Sequence, residues 1–167
     1  MELTVRIKKR LHRFTLNADI ETKSSIALLG ASGSGKSMTL KCIAGIEKPD
    51  SGVIILNGRT LYDSEKGIDL PPQKRKIGYL FQNYALFPNM TVRQNIEVAA
   101  KEKNNVDKLI SDFYLNSIAN KYPDEISGGQ QQRTALARII ASKPEAILLD
   151  EPFSAIDSYL KWKLEMT

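Results

Sequence analysis

The sequence predicts an α/β fold in which helices cover both faces of a mainly parallel β-sheet. Short apolar runs alternate with helix-like segments along the 167 residues, which is typical of that class. A glycine-rich loop at residues 30–37 joins a strand-like run to a helix-like one. The opening residues alternate apolar and polar side chains, which indicates an antiparallel hairpin. A chain of this length with 42% hydrophobic residues is large enough for a globular core.

The individual strands and helices are predicted from apolar spacing and turn signals. Alternating apolar residues predict the two hairpin strands at residues 2–7 and 13–20. Asn57 and Gly58 signal a hairpin turn after the apolar run 53–56. No internal repeat or low-complexity linker supports a second domain, so one domain is expected over residues 1–167. The expected strands are 2–7, 13–20, 25–29, 53–56, 77–81 and 146–149, and the expected helices are 37–46, 91–100, 106–118 and 130–142.

The glycine-rich loop matches the phosphate-cradling pattern G-x-x-x-x-G-K-[ST] in full. Gly33 and Gly35 can adopt backbone angles that turn successive N–H groups toward phosphate oxygens. Lys36 is expected to reach the β- and γ-phosphates, and the Ser37 hydroxyl to bind Mg²⁺. A plain glycine-rich turn is the alternative, but it does not explain a full match between a strand and a helix. The predicted nucleotide contacts are Gly30, Ala31, Ser32, Gly33, Ser34, Gly35, Lys36, Ser37 and Met38.

Two adjacent acids, Asp150 and Glu151, follow the apolar strand at residues 146–149. Such a pair can place one carboxylate near magnesium and the other near the attacking water. Asp150 is therefore the candidate metal ligand and Glu151 the candidate general base. Alone, the pattern also fits a strand that ends at a solvated turn. Together with the phosphate loop it favours catalysis.

A second candidate anion site precedes the helix at residues 130–142. Ser127 can cap that helix, and Gly128 and Gly129 allow backbone N–H groups to approach a phosphate. The helix dipole favours negative charge at the same end. A plain capping turn is the alternative, and it leaves the second glycine and the glutamines that begin at Gln130 unexplained.

The charge and the apolar runs exclude several classes of protein. The net charge is +5, but the basic residues are scattered apart from residues 6–13 and 73–76, so we expect no nucleic-acid partner. No apolar run is long enough to span a membrane, and the N-terminus lacks the apolar core of a secretory signal. A cytoplasmic protein is expected, in which the single cysteine, Cys42, is a small core residue.

Together these motifs resemble the nucleotide-binding subunit of ATP-binding cassette (ABC) transporters. The resemblance implies a P-loop NTPase (RecA-like) parallel-sheet core with an N-terminal antiparallel β subdomain. It also implies a helical signature subdomain at about residues 83–135, with ATP and Mg²⁺ as cofactors. The matching segments are the Walker A loop 30–37, the Q-loop glutamine Gln82, the signature 127–131, the Walker B pair Asp150 and Glu151, and the D-loop 154–157.

The resemblance also implies a mechanism. Two such subunits face each other head to tail as a homodimer, and the signature residues of one contact the ATP bound to the other. Gln82 would sense the metal and the water, which makes it a further metal ligand beside Ser37 and Asp150, while Lys36 stabilises charge and Glu151 polarises the water. The signature contacts implied for ATP are Ser127, Gly128, Gly129 and Gln130.

The partners and cargo are implied by the same resemblance. The segment from Gln82 to Met90 would contact the transmembrane permease subunits, which hold such a protein at the inner face of the plasma membrane. Residues 56–76 are similar to the ATPases of molybdate and tungstate importers and, less closely, of sulfate importers. An aromatic residue stacks on adenine in many relatives, and His12 and Phe14 are the candidates here. The apolar side chains of the permease-facing segment are Tyr84, Leu86, Phe87 and Met90, and the alternative is that they are core.

The chain departs from the family pattern after the D-loop. No further strand with a switch histidine follows within these 167 residues. Because that strand lies between the phosphate-loop and Walker B strands in the family, we expect a truncated chain without its C-terminal strands. The two flanking strands would then approach each other, or pair with another chain. Three hypotheses follow: an importer ATPase, which the complete motif set favours, a fragment that only binds nucleotide, and a non-transport ABC protein acting on ribosomes or DNA.

Overall fold

The computed structural model describes residues 2–12, 14–102 and 105–151. The chain divides into two compact units at the boundary between Ile77 and Gly78. Short 3-10 turns at Asn116–Ile118 and Pro123–Glu125 accompany the regular elements. These elements are β1 (Leu3–Arg10), β2 (Thr15–Thr22), α1 (Lys36–Ala44), β3 (Ser51–Leu56), β4 (Arg59–Asp63), β5 (Ile68–Asp69), α2 (Pro72–Arg75), β6 (Ile77–Leu80), α3 (Val92–Glu97), α4 (Val106–Asp112), α5 (Gly128–Ala141) and β7 (Ala146–Leu149).

The first unit is built on an antiparallel sheet with the strand order β2-β1-β3-β4-β5. Val5 in β1 pairs with Ile20 of β2 on one side and Ile54 of β3 on the other. Leu3, Val5 and Ile7 are buried, because alternate side chains of a strand point to the same face of a sheet. The predicted opening hairpin and antiparallel β subdomain are thus confirmed, although each hairpin strand begins and ends slightly later than expected.

Helix α1 ends at Gly45, whose left-handed φ of 79° suits a C-terminal cap. The guanidinium of Arg75, which is fully buried, donates from Nη1 to the carbonyl oxygens of Cys42 and Ile43, at 2.9 Å each. It also donates from Nη2 to Oδ1 of Asp69, at 3.1 Å. A positive charge at this position stabilises the negative end of the helix dipole. Arg75 therefore fixes the end of the helix that begins at the phosphate loop.

The predicted strand at residues 25–29 is wrong. These residues have no regular secondary structure, and neither sheet of the described residues includes them. Ile26 is 50% exposed and Leu29 is 92% exposed. An apolar run becomes a strand only where a neighbouring strand satisfies its backbone N–H and C=O groups, and the run itself does not supply that neighbour.

The second unit contains the two-stranded sheet of β6 and β7, apart from Ile77, the first residue of β6. The backbone N–H of Asp150, directly after β7, donates to the carbonyl oxygen of Leu80, the last residue of β6, at 3.2 Å. Because the two strand ends meet, β6 and β7 run parallel, as expected for strands joined by a helical crossover. A Cβ on Gly78 would lie 2.3 Å from Cγ2 of Ile139, so α5 packs directly against β6 at this glycine.

Helices α3, α4 and α5 enclose the core of the second unit. The predicted helix at residues 106–118 is wrong in its second half, because α4 ends at Asp112 and Tyr114 adopts a left-handed φ of 55°. This turn lets the N–H of Leu115 donate to the carbonyl oxygen of Ile110 at 2.8 Å and buries Leu115 completely. The core side chains are Val92, Ile96, Val106, Leu109, Ile110, Leu115, Ile118, Ala119, Ile126, Ala137 and Ala141.

The other helices agree with the sequence apart from their ends. Helix α3 stops at Glu97, earlier than expected, and the next residue, Val98, is 56% exposed. Helix α5 begins at Gly128, inside the predicted signature. In the part of the chain that the structure describes, no helix combines the length and apolarity needed to cross a bilayer.

Candidate functional site

The phosphate loop lies in the first unit and leads directly into α1. Gly33 and Gly35 have φ angles of 81° and 99°, a left-handed conformation that residues with a Cβ rarely adopt. Gly35 is the N-cap of α1, so the positive end of the helix dipole lies at the loop. A Cβ on Gly33 would meet no atom within 4 Å. The loop therefore has the open, glycine-dependent shape that a phosphate cradle requires.

The side chain of Lys36 forms hydrogen bonds to the backbone of this loop. Nζ donates to the carbonyl oxygens of Gly30 at 2.7 Å and Ala31 at 2.9 Å. The ammonium group is thus held at the loop, where Ala31 is exposed and Lys36 is half-buried. Phosphate oxygens entering the loop would exchange these neutral acceptors for charged ones, which form the stronger hydrogen bonds.

An aromatic ring lies beside the same loop. A Cβ on Gly35 would be 3.5 Å from Cζ of Phe14 and 2.8 Å from Cδ1 of Leu16, so both side chains border the start of α1. Phe14 remains 40% exposed. His12, the other predicted candidate for adenine stacking, is exposed. The geometry favours Phe14, and the stacking itself stays a prediction.

Asp150 is a buried carboxylate at the end of β7, with only 9% of its surface exposed. The Tyr79 hydroxyl, from the neighbouring strand β6, donates to Oδ2 of Asp150 at 2.9 Å. Burial, the hydrogen bond to Asp150 and its charge raise the pKa of Tyr79, so the phenol remains a donor at neutral pH. Tyr79 was missed by the sequence reasoning. Strand alternation places Tyr79 on the same face as Phe81, with ring centroids 4.6 Å apart, but does not indicate Asp150 as its acceptor.

The structure brings Gln82 and Glu151 together, while their catalytic roles stay predictions. Nε2 of Gln82 donates to Oε2 of Glu151 at 3.1 Å, and both side chains are exposed. Glu151 has a left-handed φ of 49°, a conformation uncommon for a residue with a Cβ. The structure therefore presents a carboxylate and an amide together at the ends of β6 and β7.

The signature segment forms the N-terminus of α5. Oγ of Ser127 accepts a hydrogen bond from the Gln130 N–H at 3.4 Å, and the Ser127 N–H donates to Oε1 of Gln130 at 2.9 Å. This reciprocal capping box confirms the predicted cap. A Cβ on Gly128 would meet no atom within 4 Å, so the first turn is open to an approaching ligand. Capture of a phosphate by Ser127, Gly128, Gly129 and Gln130 stays a prediction.

The candidate Mg²⁺ ligands offer the right chemistry. A serine hydroxyl, an amide oxygen and a carboxylate, from Ser37, Gln82 and Asp150, are the oxygen donors that Mg²⁺ prefers. Ser37 belongs to the first unit and the other two to the second. Within residues 2–12, 14–102 and 105–151, no group of three or more His, Cys, Asp and Glu side chains could hold a metal. The predicted D-loop at residues 154–157 lies outside the described residues.

The apolar side chains of the segment after Gln82 differ in how far they are packed against a core. Tyr84 and Leu86 pack against the small core of Leu80, Ala135 and Ile139, so for these two the alternative of a core position is favoured. Phe87 is 44% exposed and Met90 is half-buried. Contact of this segment with a permease stays a prediction.

Most of this chain is similar in sequence to known proteins. The family model described as ABC transporter matches residues 14–154. The chain is 43% identical over 170 residues to a sulfate/thiosulfate import ATP-binding protein of Synechocystis, covering 95% of this chain and 46% of that protein. It is 37% identical over 162 residues to a molybdenum import ATP-binding protein of Paramagnetospirillum magneticum, covering 93% and 45%. The chain thus spans about half the length of these curated relatives.

A solved structure shares the fold. It is a dimeric ATP-binding cassette described as a post-hydrolysis state bound to ADP and Pi. The TM-score is 0.78 at 26% sequence identity, covering 99% of this chain and 80% of that one. This likeness confirms the predicted α/β fold of the P-loop NTPase class. Since the family model covers the phosphate loop, Gln82, the signature and both acids, the chain belongs to the ABC transporter family.

Proposed function

We propose that this chain is the ATP-binding and ATP-hydrolysing part of an ABC importer for an oxyanion. The observation that carries the proposal is the hydrogen bond of 3.1 Å between Gln82 and Glu151. A cassette that kept the fold of the family but not its activity would not need the Gln82 amide beside the carboxylate of Glu151. The names of the sulfate/thiosulfate and molybdenum relatives support transport as the purpose.

The first unit binds the triphosphate in this proposal. The N–H groups of residues 30–38 and the ammonium of Lys36 bind the β- and γ-phosphates, and α1 directs its positive end at them. Phe14 stacks on adenine from its place beside Gly35. The arrangement neutralises the phosphates and orients the nucleotide before reaction.

The second unit supplies the hydrolytic side chains. Glu151 accepts the proton of the attacking water, and Gln82 holds that carboxylate in position through its amide. Tyr79 keeps Asp150 oriented through its hydroxyl. Ser37, Gln82 and Asp150 would provide oxygen ligands for Mg²⁺, which would supply positive charge to neutralise the phosphate oxygens.

The partners follow from the exposed groups. Ser127, Gly128, Gly129 and Gln130 at the open start of α5 bind the ATP held by a second copy of the subunit, in a head-to-tail homodimer. The exposed Phe87, within the segment from Gln82 to Met90, contacts transmembrane permease subunits. Those contacts would place the protein in the cytoplasm, peripherally at the inner face of the plasma membrane. The cargo is an oxyanion such as molybdate, tungstate or sulfate.

A nucleotide-binding role without turnover is the second candidate. It is favoured by one observation, namely that residues 25–29 form no strand and that Leu29 before the phosphate loop is 92% exposed. A phosphate loop held less firmly would bind nucleotide but position it less well for reaction. The third hypothesis, a non-transport ABC protein, gains no support from the names of these relatives.

ATP hydrolysis by the purified protein tests the proposal, with Glu151→Gln beside it. Phosphate release should fall by about a hundredfold or more without the general base, while ATP binding persists. Glu65→Gln is the matched control, because Glu65 is an exposed residue in the turn between β4 and β5. Equal phosphate release by all three proteins would contradict the proposed catalysis. ATP binding without phosphate release in the unaltered protein would establish the second candidate instead.

A further inference from the structure

The segment at residues 84–91 follows Gln82 and contains no helix or strand. Tyr84 and Ala85 both have left-handed φ angles, 60° and 45°, although neither is glycine. Such conformations persist only where the surroundings impose them. The carbonyl oxygens of both residues accept hydrogen bonds from one side chain, Arg138 of α5.

The planar guanidinium of Arg138 forms two hydrogen bonds to the backbone of residues 84–91. Nη1 donates to the carbonyl oxygen of Ala85 at 2.9 Å, and Nη2 donates to that of Tyr84 at 3.0 Å. The guanidinium carbon lies 5.3 Å from the ring centroid of Phe87, a cation–π distance. Burial lowers the pKa of Arg138, but an arginine retains its charge at neutral pH. A lysine at this position could not satisfy both carbonyls with the same geometry.

Asn95 of α3 holds the other end of the segment. Its side chain is fully buried, and Nδ2 donates to the carbonyl oxygens of Phe87, Met90 and Thr91 at 3.1, 2.9 and 3.1 Å. Oδ1 accepts from the N–H of Phe87 at 2.8 Å. A buried amide with its donors and acceptor all engaged specifies one backbone conformation.

The position of Arg138 on α5 suggests more than local stability. The same helix begins at Ser127, whose first turn is the proposed phosphate contact, and Arg138 lies about three helical turns further along. A continuous helix transmits a displacement of one end to the other as a rigid element. Arg138 therefore joins the signature turn to the segment that carries the exposed Phe87.

We propose that Arg138 and Asn95 are positioning residues that couple the signature turn of α5 to residues 84–91. Binding of nucleotide phosphate at Ser127, Gly128 and Gly129 changes the conformation of that segment through the hydrogen bonds of Arg138. The inference rests on the proposed function, since it takes the signature as a phosphate contact and the segment as the permease-facing surface. It adds the residues that link the two.

Amide hydrogen exchange with the non-hydrolysable analogue AMP-PNP and Mg²⁺ tests this coupling without a permease. In the unaltered protein, exchange at residues 83–91 and at 127–130 should slow by about fivefold or more, the lower end of usual coupling, with one midpoint in AMP-PNP concentration. In Arg138→Lys, residues 127–130 should respond as before, while the response of residues 83–91 falls below about twofold. Arg93→Lys on α3, where Arg93 forms an ion pair with Asp107, is the matched control.

Each outcome decides the matter. A full response of residues 83–91 in Arg138→Lys would overturn the coupling role, and so would different midpoints for the two segments in the unaltered protein. That second measurement needs no variant, so it applies even if Arg138→Lys does not fold. Failure of the unaltered protein to bind AMP-PNP in equilibrium dialysis would instead reject the proposed function, and this inference with it.

Discussion

Gln82 and Glu151 lie 69 positions apart in the chain, yet the Gln82 amide donates a hydrogen bond of 3.1 Å to the Glu151 carboxylate. Each residue follows closely on a strand of the parallel pair, β6 ending at Leu80 and β7 at Leu149. Parallel neighbours bring their carboxyl ends to the same edge of a sheet. The amide therefore lies where it can orient the acid that we propose as general base.

Replacing Gln82 with alanine tests this orientation. We expect Gln82→Ala to lower ATP hydrolysis by about tenfold to hundredfold, since a hydrogen bond to a charged group contributes about 1.5–3 kcal/mol. ATP binding should change little, because Lys36 and the phosphate loop bind the triphosphate. Phosphate release and equilibrium dialysis measure the two effects. Gln73→Ala, at an exposed position of α2, is the control, and hydrolysis by Gln82→Ala at the unaltered rate would refute the role.

Replacing Lys36 separates binding from catalysis. Lys36→Met removes the ammonium that lies 2.7 Å from the Gly30 carbonyl oxygen and 2.9 Å from that of Ala31. Without charge-assisted bonds to the phosphates, ATP should bind about tenfold to hundredfold more weakly. Isothermal titration measures the affinity, and Lys108→Met, at an exposed position of α4, should bind as the unaltered protein does. Unchanged affinity in Lys36→Met would argue against the phosphate loop as the site.

Features that depend on a few consecutive residues could be predicted from the sequence. The cap of Ser127 on α5 was expected from the residue types alone, and the capping box with Gln130 confirms it. The strand at residues 146–149 has the predicted bounds, because its apolar run is short and ends at two acids. Local chemistry was sufficient in both cases.

Features that depend on distant residues were missed or wrong. The Tyr79 hydroxyl reaches Asp150 across 71 positions, and nothing near Tyr79 in the sequence indicates that acceptor. Apolar composition predicts a strand at residues 25–29, but it does not reveal whether a neighbouring strand is present. The left-handed turn at Tyr114, which ends α4 early, serves to bury Leu115 in a core built from three helices.

The thiol of Cys42 offers a pH-dependent test of the first unit. Cys42 is fully buried, and that burial raises its pKa from 9.0 to about 11. A thiol reagent at about pH 8 should therefore react slowly with the folded protein and quickly once urea unfolds it. Rapid reaction with the folded protein would contradict the burial of Cys42 in α1.

The same raised pKa predicts how stability depends on pH. The folded state favours the protonated thiol, so this contribution to the free energy of unfolding is complete below pH 9.0 and is lost as the pH rises through about 11. The difference in stability between the unaltered protein and Cys42→Ala should therefore be constant below that range and shift against the unaltered protein within it. Urea unfolding at a series of pH values measures this difference. A stability difference that stayed constant over the whole pH range would refute the raised pKa of the buried thiol.

Arg75 is the charged residue on which the first unit should depend most strongly. Its guanidinium has no exposed surface and donates to Cys42 and Ile43 at the end of α1, to Leu70, and to the carboxylate of Asp69. Removal of Arg75 leaves the carbonyl groups without their donor, whereas the carboxylate of Asp69 is exposed and keeps a lysine partner at 3.4 Å. Arg75→Met should therefore destabilise the protein by at least about 1–3 kcal/mol, the usual cost of leaving a buried hydrogen-bonding group without its partner.

A second variant tests whether the planar geometry of the Arg75 guanidinium matters as well as its charge. Arg75→Lys keeps the charge, but an ammonium group cannot donate to α1 and to Asp69 with the geometry of the planar guanidinium. We therefore expect it to destabilise the protein by a large part of the amount expected for Arg75→Met. Arg6→Lys is the matched control, because Arg6 pairs with Glu21 on the surface and such pairs contribute about 0–1 kcal/mol. Urea unfolding of the three variants measures the effect. If Arg75→Lys were as stable as Arg6→Lys, a positive charge alone would stabilise the end of α1, and the planar guanidinium would not be required.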